Sequence, residues 1–326
     1  MRFAPDAEQA KALDAAMHRE LCASLAYLVE ASRGHIRFGE AGLDQLLGAL
    51  GNGKRVSPIT FALYYELVEA LTSGQVDVAE RIFDRLAGMR PVAEPLRVLA
   101  LGGDQLGRDS DRIVQMLKEP GALSPSLLPA REPEAERFRP LLREALDLLE
   151  RALPSLSAEF SALVRQIILV RSDPSSQYQL DGGSHYQLWG ALFLNVDVHH
   201  DLIGMVEVLA HESAHSLLFG LCLDLPLTDN DPAELYHSPL RADARPMDGI
   251  FHASFVSARM HWAMSQILAD PHLTPAQYAR AREAAACDAK NFWDGHAVME
   301  RYAILTLRGK EVMASALDYM RGRGAA

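Results

Sequence analysis

Residues 208–219 read VLAHESAHSLLF and combine an apolar helical pattern with the spacing of a metal-binding motif. His211 and His215 stand at positions i and i+4, so both imidazoles project from one face of a helix. Nitrogen atoms placed in this way can bind one metal ion, and Glu212 lies beside them. Burying two imidazoles on an apolar helix without a hydrogen-bond partner or a metal ion would cost free energy of folding. The stretch therefore predicts a helix buried in a substantial core, with a metal site on one face.

The composition is that of a globular chain with room for such a core. The 326 residues are 49% hydrophobic and 23% charged, which is ordinary usage for one large domain or two smaller ones. Three isolated cysteines form no zinc-binding pair and no disulfide framework, which favours a cytoplasmic setting. The net charge of −11 argues against nucleic acid as a partner. No apolar run reaches the roughly 20 residues of a membrane span, so no membrane partner is expected.

Helical periodicity dominates the chain, and its character changes near residue 155. Before that point, one amphipathic helix follows another, whereas RQIILVR and LWGALFLNVD further on predict two short strands. Asp201 is the predicted cap of a helix from about 202 to 220, and Pro246 marks the start of another. The fold predicted is mainly α (α+β), multi-helical with a small β-sheet next to the motif helix.

Two regions are predicted on this basis. Residues 1–155 form a helical N-terminal region, which is a candidate for binding a substrate peptide. Residues 156–326 form the metal-binding catalytic region and contain the motif helix.

A third metal ligand must come from outside the motif. The extended metzincin pattern fails because leucine occupies both of its downstream positions. The gluzincin pattern needs a glutamate on a following helix, and there is none between Glu234 and Glu283. The next helix offers Asp248 and His252 at i and i+4, and either could complete the site while the other supports it. His252 is favoured, since its neighbours are apolar and an unpaired imidazole there is hard to explain.

The region after the motif is similar to a known family. The stretch YHSPLRADARPMDGIFHASFVSARM, residues 236–260, resembles the HExxH-motif proteins of bacterial ribosomal peptide natural-product pathways. Those proteins look like metallopeptidases by motif, but they are understood as 2-oxoglutarate/iron-dependent peptide β-hydroxylases. The resemblance covers about residues 185–262 and does not extend to the N-terminal helical half. It implies a cytoplasmic Fe(II) enzyme that uses 2-oxoglutarate as cosubstrate and hydroxylates a Cβ position in a precursor peptide.

The resemblance also implies which residues form the site. The metal ligands would be His211, His215 and His252, which departs from the usual set of two histidines and one carboxylate. Whether a carboxylate takes part, either Glu212 in a catalytic role or Asp248, stays open.

The cosubstrate needs a cation for its distal carboxylate. Arg245 is the first candidate because it immediately precedes the helix of His252, and Arg241 is the reserve. Ser238, in the same connecting loop, is a further candidate for binding the cosubstrate. Arg259 is interpreted as structural.

Two other functions stay open at this point. The first is a zinc metallopeptidase, with Glu212 as general base toward a water molecule and Asp248 as third ligand. The second is a helical binding protein with a degenerate site, against which the intact HExxH motif argues.

Overall fold

The computed structural model describes residues 3–92, 96–118, 126–176, 179–223, 225–241 and 243–322. The chain divides into two compact units, and each is assembled from separate segments. The first unit comprises Met1–Ala10, Glu136–Ala162 and Val198–Ala326, and the second comprises Lys11–Ala135 and Leu163–Asp197. The functional roles assigned to residues 1–155 and 156–326 stay predictions.

Helices account for most of the described chain. In chain order, the elements are α1 (Ala7–Ser32), α2 (Glu40–Gly51), α3 (Pro58–Thr72), α4 (Val76–Ala87), β1 (Arg97–Ala100), α5 (Asp109–Met116), β2 (Leu127–Pro129), α6 (Glu132–Ala152), α7 (Pro154–Leu163), β3 (Gln166–Ser172), β4 (Gly182–Ser184), a 3-10 turn (Tyr186–Leu188), β5 (Ala191–Asn195), α8 (Leu202–Leu221), α9 (Met247–Ile267), α10 (Pro275–Tyr302) and α11 (Leu307–Met320). The prediction of a mainly helical chain with a small sheet is confirmed.

The sheet belongs to the second unit and is built around two buried apolar strands. Strands β1, β3 and β5 run parallel, whereas β2 and β4 pair antiparallel with β3 and β5. Strands β3 and β5 confirm the two strands predicted from the sequence, and their continuous apolar runs are typical of strands covered on both faces. Helices follow one another before residue 155 as predicted, but two short strands that were not predicted, β1 and β2, lie among them. The placement of this sheet beside the motif helix stays a prediction.

The first unit contains the motif helix α8 together with α9 and α10. Asp201 caps α8 by accepting a hydrogen bond from the Gly204 amide at 2.8 Å, as predicted from the sequence. Pro246 immediately precedes α9, which also agrees with the prediction. Helix α9 is buried along almost its whole length and packs against both α8 and α10. These contacts hold the two helices that carry the candidate ligands.

Glycine allows one close approach in this unit. A Cβ atom at Gly295 on α10 would collide with Ser254 Oγ on α9 and would lie 3.1 Å from the Pro239 ring. The loop after α8 is thereby held against α9 and α10. None of the described helices is long and apolar enough to cross a membrane.

Candidate metal centre

Two imidazoles on α8 meet as the motif spacing predicts. The Nε2 atoms of His211 and His215 lie 3.1 Å apart. Two nitrogens at metal-ligand distances of about 2.1 Å from a common point would subtend roughly 95° there, which suits adjacent ligands of one ion. These two side chains therefore fit a metal ion that is bound through both Nε2 atoms.

Burial keeps both imidazoles in the form that binds metal. It lowers the pKa of His211 to about 4. The pKa of His215 is also lowered well below its ordinary value, first by burial and then by the neighbouring His211 and His252. A neutral imidazole has a free nitrogen lone pair, whereas a protonated one does not. No proton therefore has to be displaced from a charged ring at neutral pH.

His252 lies next to this pair, but its nearest nitrogen faces the other side of the His215 ring and not the position between the two Nε2 atoms. Its ring stacks on that of His215 at 5.3 Å between centroids, and the two Nδ1 atoms lie 3.1 Å apart. The contacts to His211 and His252 thus use opposite nitrogens of His215. Among the described residues, no three His, Cys, Asp or Glu side chains converge as a metal-binding group. The structure brings the three predicted ligands into one cluster, and the role of His252 as third ligand stays a prediction.

Two carboxylates lie at the edge of the cluster. Glu212 is buried on α8, with its Oε1 atom 3.8 Å from Nε2 of His211. Asp248 is largely exposed, and its Oδ2 atom lies 3.8 Å from Nε2 of His252. Burial lowers the pKa of His252, and Asp248 opposes that shift. Glu212 is therefore the closer of these two carboxylates to the Nε2 pair, and Asp248 lies beside His252 at a distance too long for a hydrogen bond.

The two candidate arginines share one carboxylate in the loop before α9. Arg241 Nε donates to Asp243 Oδ1 at 2.8 Å, and Arg245 Nη1 lies 3.5 Å from Asp243 Oδ2. The hydrogen bond from Arg241 is the main cause that lowers the pKa of Asp243. Backbone hydrogen bonds of 2.8 Å in both directions between Tyr236 and Arg245 fix the loop. The loop can hold a carboxylate between two guanidinium groups, and its role in binding the cosubstrate stays a prediction.

The two other predicted residues, Ser238 and Arg259, are both buried. Ser238 is buried in the same loop, and its role in binding the cosubstrate also stays a prediction. Arg259 is buried and forms an ion pair with Glu159, and its Nη1 atom donates to the carbonyl of Phe3 at 2.7 Å. These contacts agree with the structural interpretation of Arg259.

A buried acid on α10 is a feature that sequence reasoning missed. The acid is Asp288, and it lies near an ion pair between α8 and α10. In that pair, Arg280 Nη2 on α10 donates to Glu207 Oε2 on α8 at 2.8 Å. Asp288 is 2% exposed, and its Oδ2 atom has no hydrogen-bond partner among the described residues. Burial raises the pKa of Asp288 to about 8, and Glu207 adds to this shift while Arg280 opposes it.

The sequence was compared with protein-family models and with curated proteins. No protein-family model matches the sequence, and no curated protein aligns with it significantly. The similarity to peptide β-hydroxylases rests on the motifs of residues 185–262 and stays a hypothesis.

The protonation of Asp288 should make stability depend on pH. Its pKa is about 8 in the folded protein and about 4 in an unfolded chain. The folded state therefore binds the proton more tightly, and stability is lost as pH rises through that window, by up to about 1.4 kcal/mol per pH unit. Asp288→Asn should remove this loss and exceed the wild type in stability at pH 8. Urea unfolding between pH 5 and pH 8 measures the effect.

The matched control for this experiment is Asp294→Asn on the same helix, where the half-exposed carboxylate pairs with Lys290. This variant should follow the pH profile of the wild type. Parallel profiles for Asp288→Asn and the wild type would show that Asp288 is ionised in the folded protein at neutral pH.

Proposed function

We propose that this protein is an Fe(II)/2-oxoglutarate-dependent oxygenase that hydroxylates a Cβ position in a ribosomally made precursor peptide. The observation that supports the proposal most directly is the cluster of His211, His215 and His252, whose nitrogens lie 3.1 Å apart in two successive contacts. The assignment of a peptide as substrate and of 2-oxoglutarate as cosubstrate rests on the similarity of residues 185–262 to peptide β-hydroxylases.

The paired Nε2 atoms of His211 and His215 would suit iron as they would suit zinc. His211 and His215 would hold the ion through their Nε2 atoms, with His252 as the third histidine. Iron supplies redox chemistry with O₂, which zinc cannot provide. Most of α8 is buried, but the side chains of His211 and His252 are 24% and 12% exposed, so the cluster is open to solvent on one side.

The arginine loop would bind the distal carboxylate of 2-oxoglutarate. Arg245 and Arg241 already face one carboxylate, that of Asp243, and a second carboxylate in this place would compete with it. Guanidinium groups suit this role because their planar donors match both oxygens of a carboxylate. Ser238, buried in the same loop, is the nearby hydroxyl that we assign to cosubstrate binding.

Arg245→Ala should bind metal normally and require far more 2-oxoglutarate. The loss of a charge-assisted pair in a partly buried site costs about 2–5 kcal/mol, which is more than tenfold in affinity. Arg245→Lys should recover only part of the loss, because an ammonium group cannot reproduce the planar fork. The measurement is the 2-oxoglutarate concentration that gives half-maximal succinate release.

The matched control is Arg151→Ala, which removes an exposed arginine paired with Asp270 and should leave this concentration unchanged. If Arg241→Ala raises the requirement and Arg245→Ala does not, Arg241 is the anchor. If neither variant raises it, the assignment of 2-oxoglutarate as cosubstrate is wrong.

A zinc-dependent hydrolase is the second candidate, and Glu212 is the observation that favours it. Its buried Oε1 atom lies 3.8 Å from Nε2 of His211, where it could take a proton from a water molecule in the site. In the oxygenase, Glu212 would act as an acceptor beside the ligand pair without breaking a peptide bond. Glu212→Gln should therefore abolish activity in a hydrolase and should leave succinate release measurable in an oxygenase.

A peptide pool separates the two candidates. A tryptic digest of a bacterial proteome is incubated either with Fe(II), 2-oxoglutarate and air, or with Zn²⁺ under argon. The oxygenase should convert 2-oxoglutarate to succinate and add one oxygen atom to individual peptides in the first mixture. New peptide termini in the second mixture would overturn the oxygenase and establish the hydrolase.

A further inference from the structure

The nitrogen of His211 that faces away from His215 has a sulfur neighbour. His211 Nδ1 lies 3.3 Å from Sδ of Met260 on α9. Met260 is 6% exposed, whereas the side chain of His211 is 24% exposed. A thioether sulfur can accept a hydrogen bond weakly but cannot donate one. If this contact is a hydrogen bond, the proton must lie on Nδ1.

The position of that proton determines what the other nitrogen can do. A neutral imidazole has one N–H group and one lone pair. With the proton on Nδ1, the lone pair of His211 lies on Nε2, the atom that is 3.1 Å from Nε2 of His215. The sulfur contact therefore favours the tautomer that can bind a metal through Nε2.

The other nitrogen of His211 has different neighbours. Its Nε2 atom lies 3.1 Å from Nε2 of His215 and 3.8 Å from Oε1 of Glu212. The distance to Glu212 is too long for a hydrogen bond. The sulfur of Met260 is the neighbour within hydrogen-bond distance of Nδ1.

We propose that Met260 is a positioning residue for the metal centre, accepting the Nδ1–H of His211 and keeping Nε2 free to bind metal. The proposal rests on the metal site of the proposed function, but it does not depend on whether the ion is iron or zinc. Metal-binding histidines usually donate this proton to a carboxylate, a backbone carbonyl or water. A thioether in the same place fixes the tautomer and adds less to the basicity of the ring, because it is a weaker acceptor.

Removal of the sulfur should shift the tautomer. Met260→Leu nearly conserves volume and removes the sulfur that accepts the Nδ1–H of His211. The proton should then move from Nδ1 to Nε2 of the same ring, with no change in net charge. Metal binding must reverse that move, so the affinity should fall. Met260→Gln offers an amide oxygen, which is a stronger acceptor, and should preserve the Nδ1–H tautomer.

The first test is a ¹⁵N spectrum of the metal-free protein, in which protonated and bare imidazole nitrogens give well-separated signals. The signals of His211 are identified by their loss in His211→Gln. The proton should be on Nδ1 in the wild type and in Met260→Gln, and it should shift toward Nε2 in Met260→Leu. The matched control is Met264→Leu, because Met264 is buried one turn further along α9. Its spectrum should match that of the wild type.

The second test is the affinity for Zn²⁺, which serves as a redox-inert probe. Met260→Leu should bind Zn²⁺ about tenfold more weakly than the wild type, whereas Met260→Gln and Met264→Leu should bind at least as tightly. A wild-type protein with the proton on Nε2 overturns the proposal, even if Met260→Leu does not fold. An unchanged tautomer and unchanged affinity in folded Met260→Leu also overturn it. A protein with the expected tautomers but without succinate release would keep this inference and exclude the proposed oxygenase.

Discussion

Replacing either His211 or His215 with alanine should remove essentially all bound metal. Each residue supplies one of the two Nε2 atoms that lie 3.1 Å apart, so the variant keeps only one of the paired donors. The affinity for metal should fall by more than the roughly 10- to 100-fold that is typical when a residue hydrogen-bonded to a metal ligand is removed. Metal content and Zn²⁺ affinity are measured on the purified variants.

The helix should survive both substitutions, because alanine is the best helix former and the apolar face of α8 is untouched. His272→Ala is the control, since His272 is an exposed histidine outside the cluster. It should bind metal like the wild type. Stoichiometric metal in both His211→Ala and His215→Ala would show that α8 does not form the site.

Replacing Arg259 alone with methionine should strongly destabilise the protein. Arg259 and Glu159 form an ion pair in which both side chains are almost fully buried. Burial raises the pKa of Glu159, and Arg259 opposes that shift. The substitution would leave this carboxyl group buried without its cation, which costs about 3–5 kcal/mol. It would also release the carbonyl of Phe3, to which Arg259 donates.

Urea unfolding measures this loss, and two further variants interpret it. The double variant Arg259→Met, Glu159→Leu should recover much of the stability, because an apolar pair can replace a buried ion pair. Arg151→Met removes the exposed partner of Asp270 and should cost less than about 1 kcal/mol. Equal losses for Arg259→Met and Arg151→Met would contradict the structural role of the buried pair.

The sequence predicts the motif helix α8 and the following helix α9 well, because their signals are local. Asp201 and Pro246 mark helix starts through capping and backbone restrictions, and the structure places α8 and α9 there. His252 was predicted to have a partner because it is an imidazole in an apolar stretch, and in the structure its Nδ1 atom lies 3.1 Å from Nδ1 of His215. The contact between His211 and His215 follows from their i, i+4 spacing on a helix.

The features that the sequence did not reveal depend on packing between distant segments. Strands β1 and β2 have only four and three residues, and they exist because β3 offers them backbone partners. Residues far apart in sequence form the contact of Met260 with His211 and that of Arg280 with Glu207. Met260 and Arg280 are ordinary residue types at their positions, so no local sequence pattern could have identified these contacts.

Succinate release is the most direct measurement of the central claim, that His211 and His215 hold an iron ion for oxygen chemistry. The protein is purified without oxygen, loaded with Fe(II) and 2-oxoglutarate, and then exposed to O₂. The account predicts about one iron ion per chain and O₂-dependent succinate that is absent in His211→Ala. A protein that binds zinc, forms no succinate with iron, and cleaves peptides under argon would contradict it.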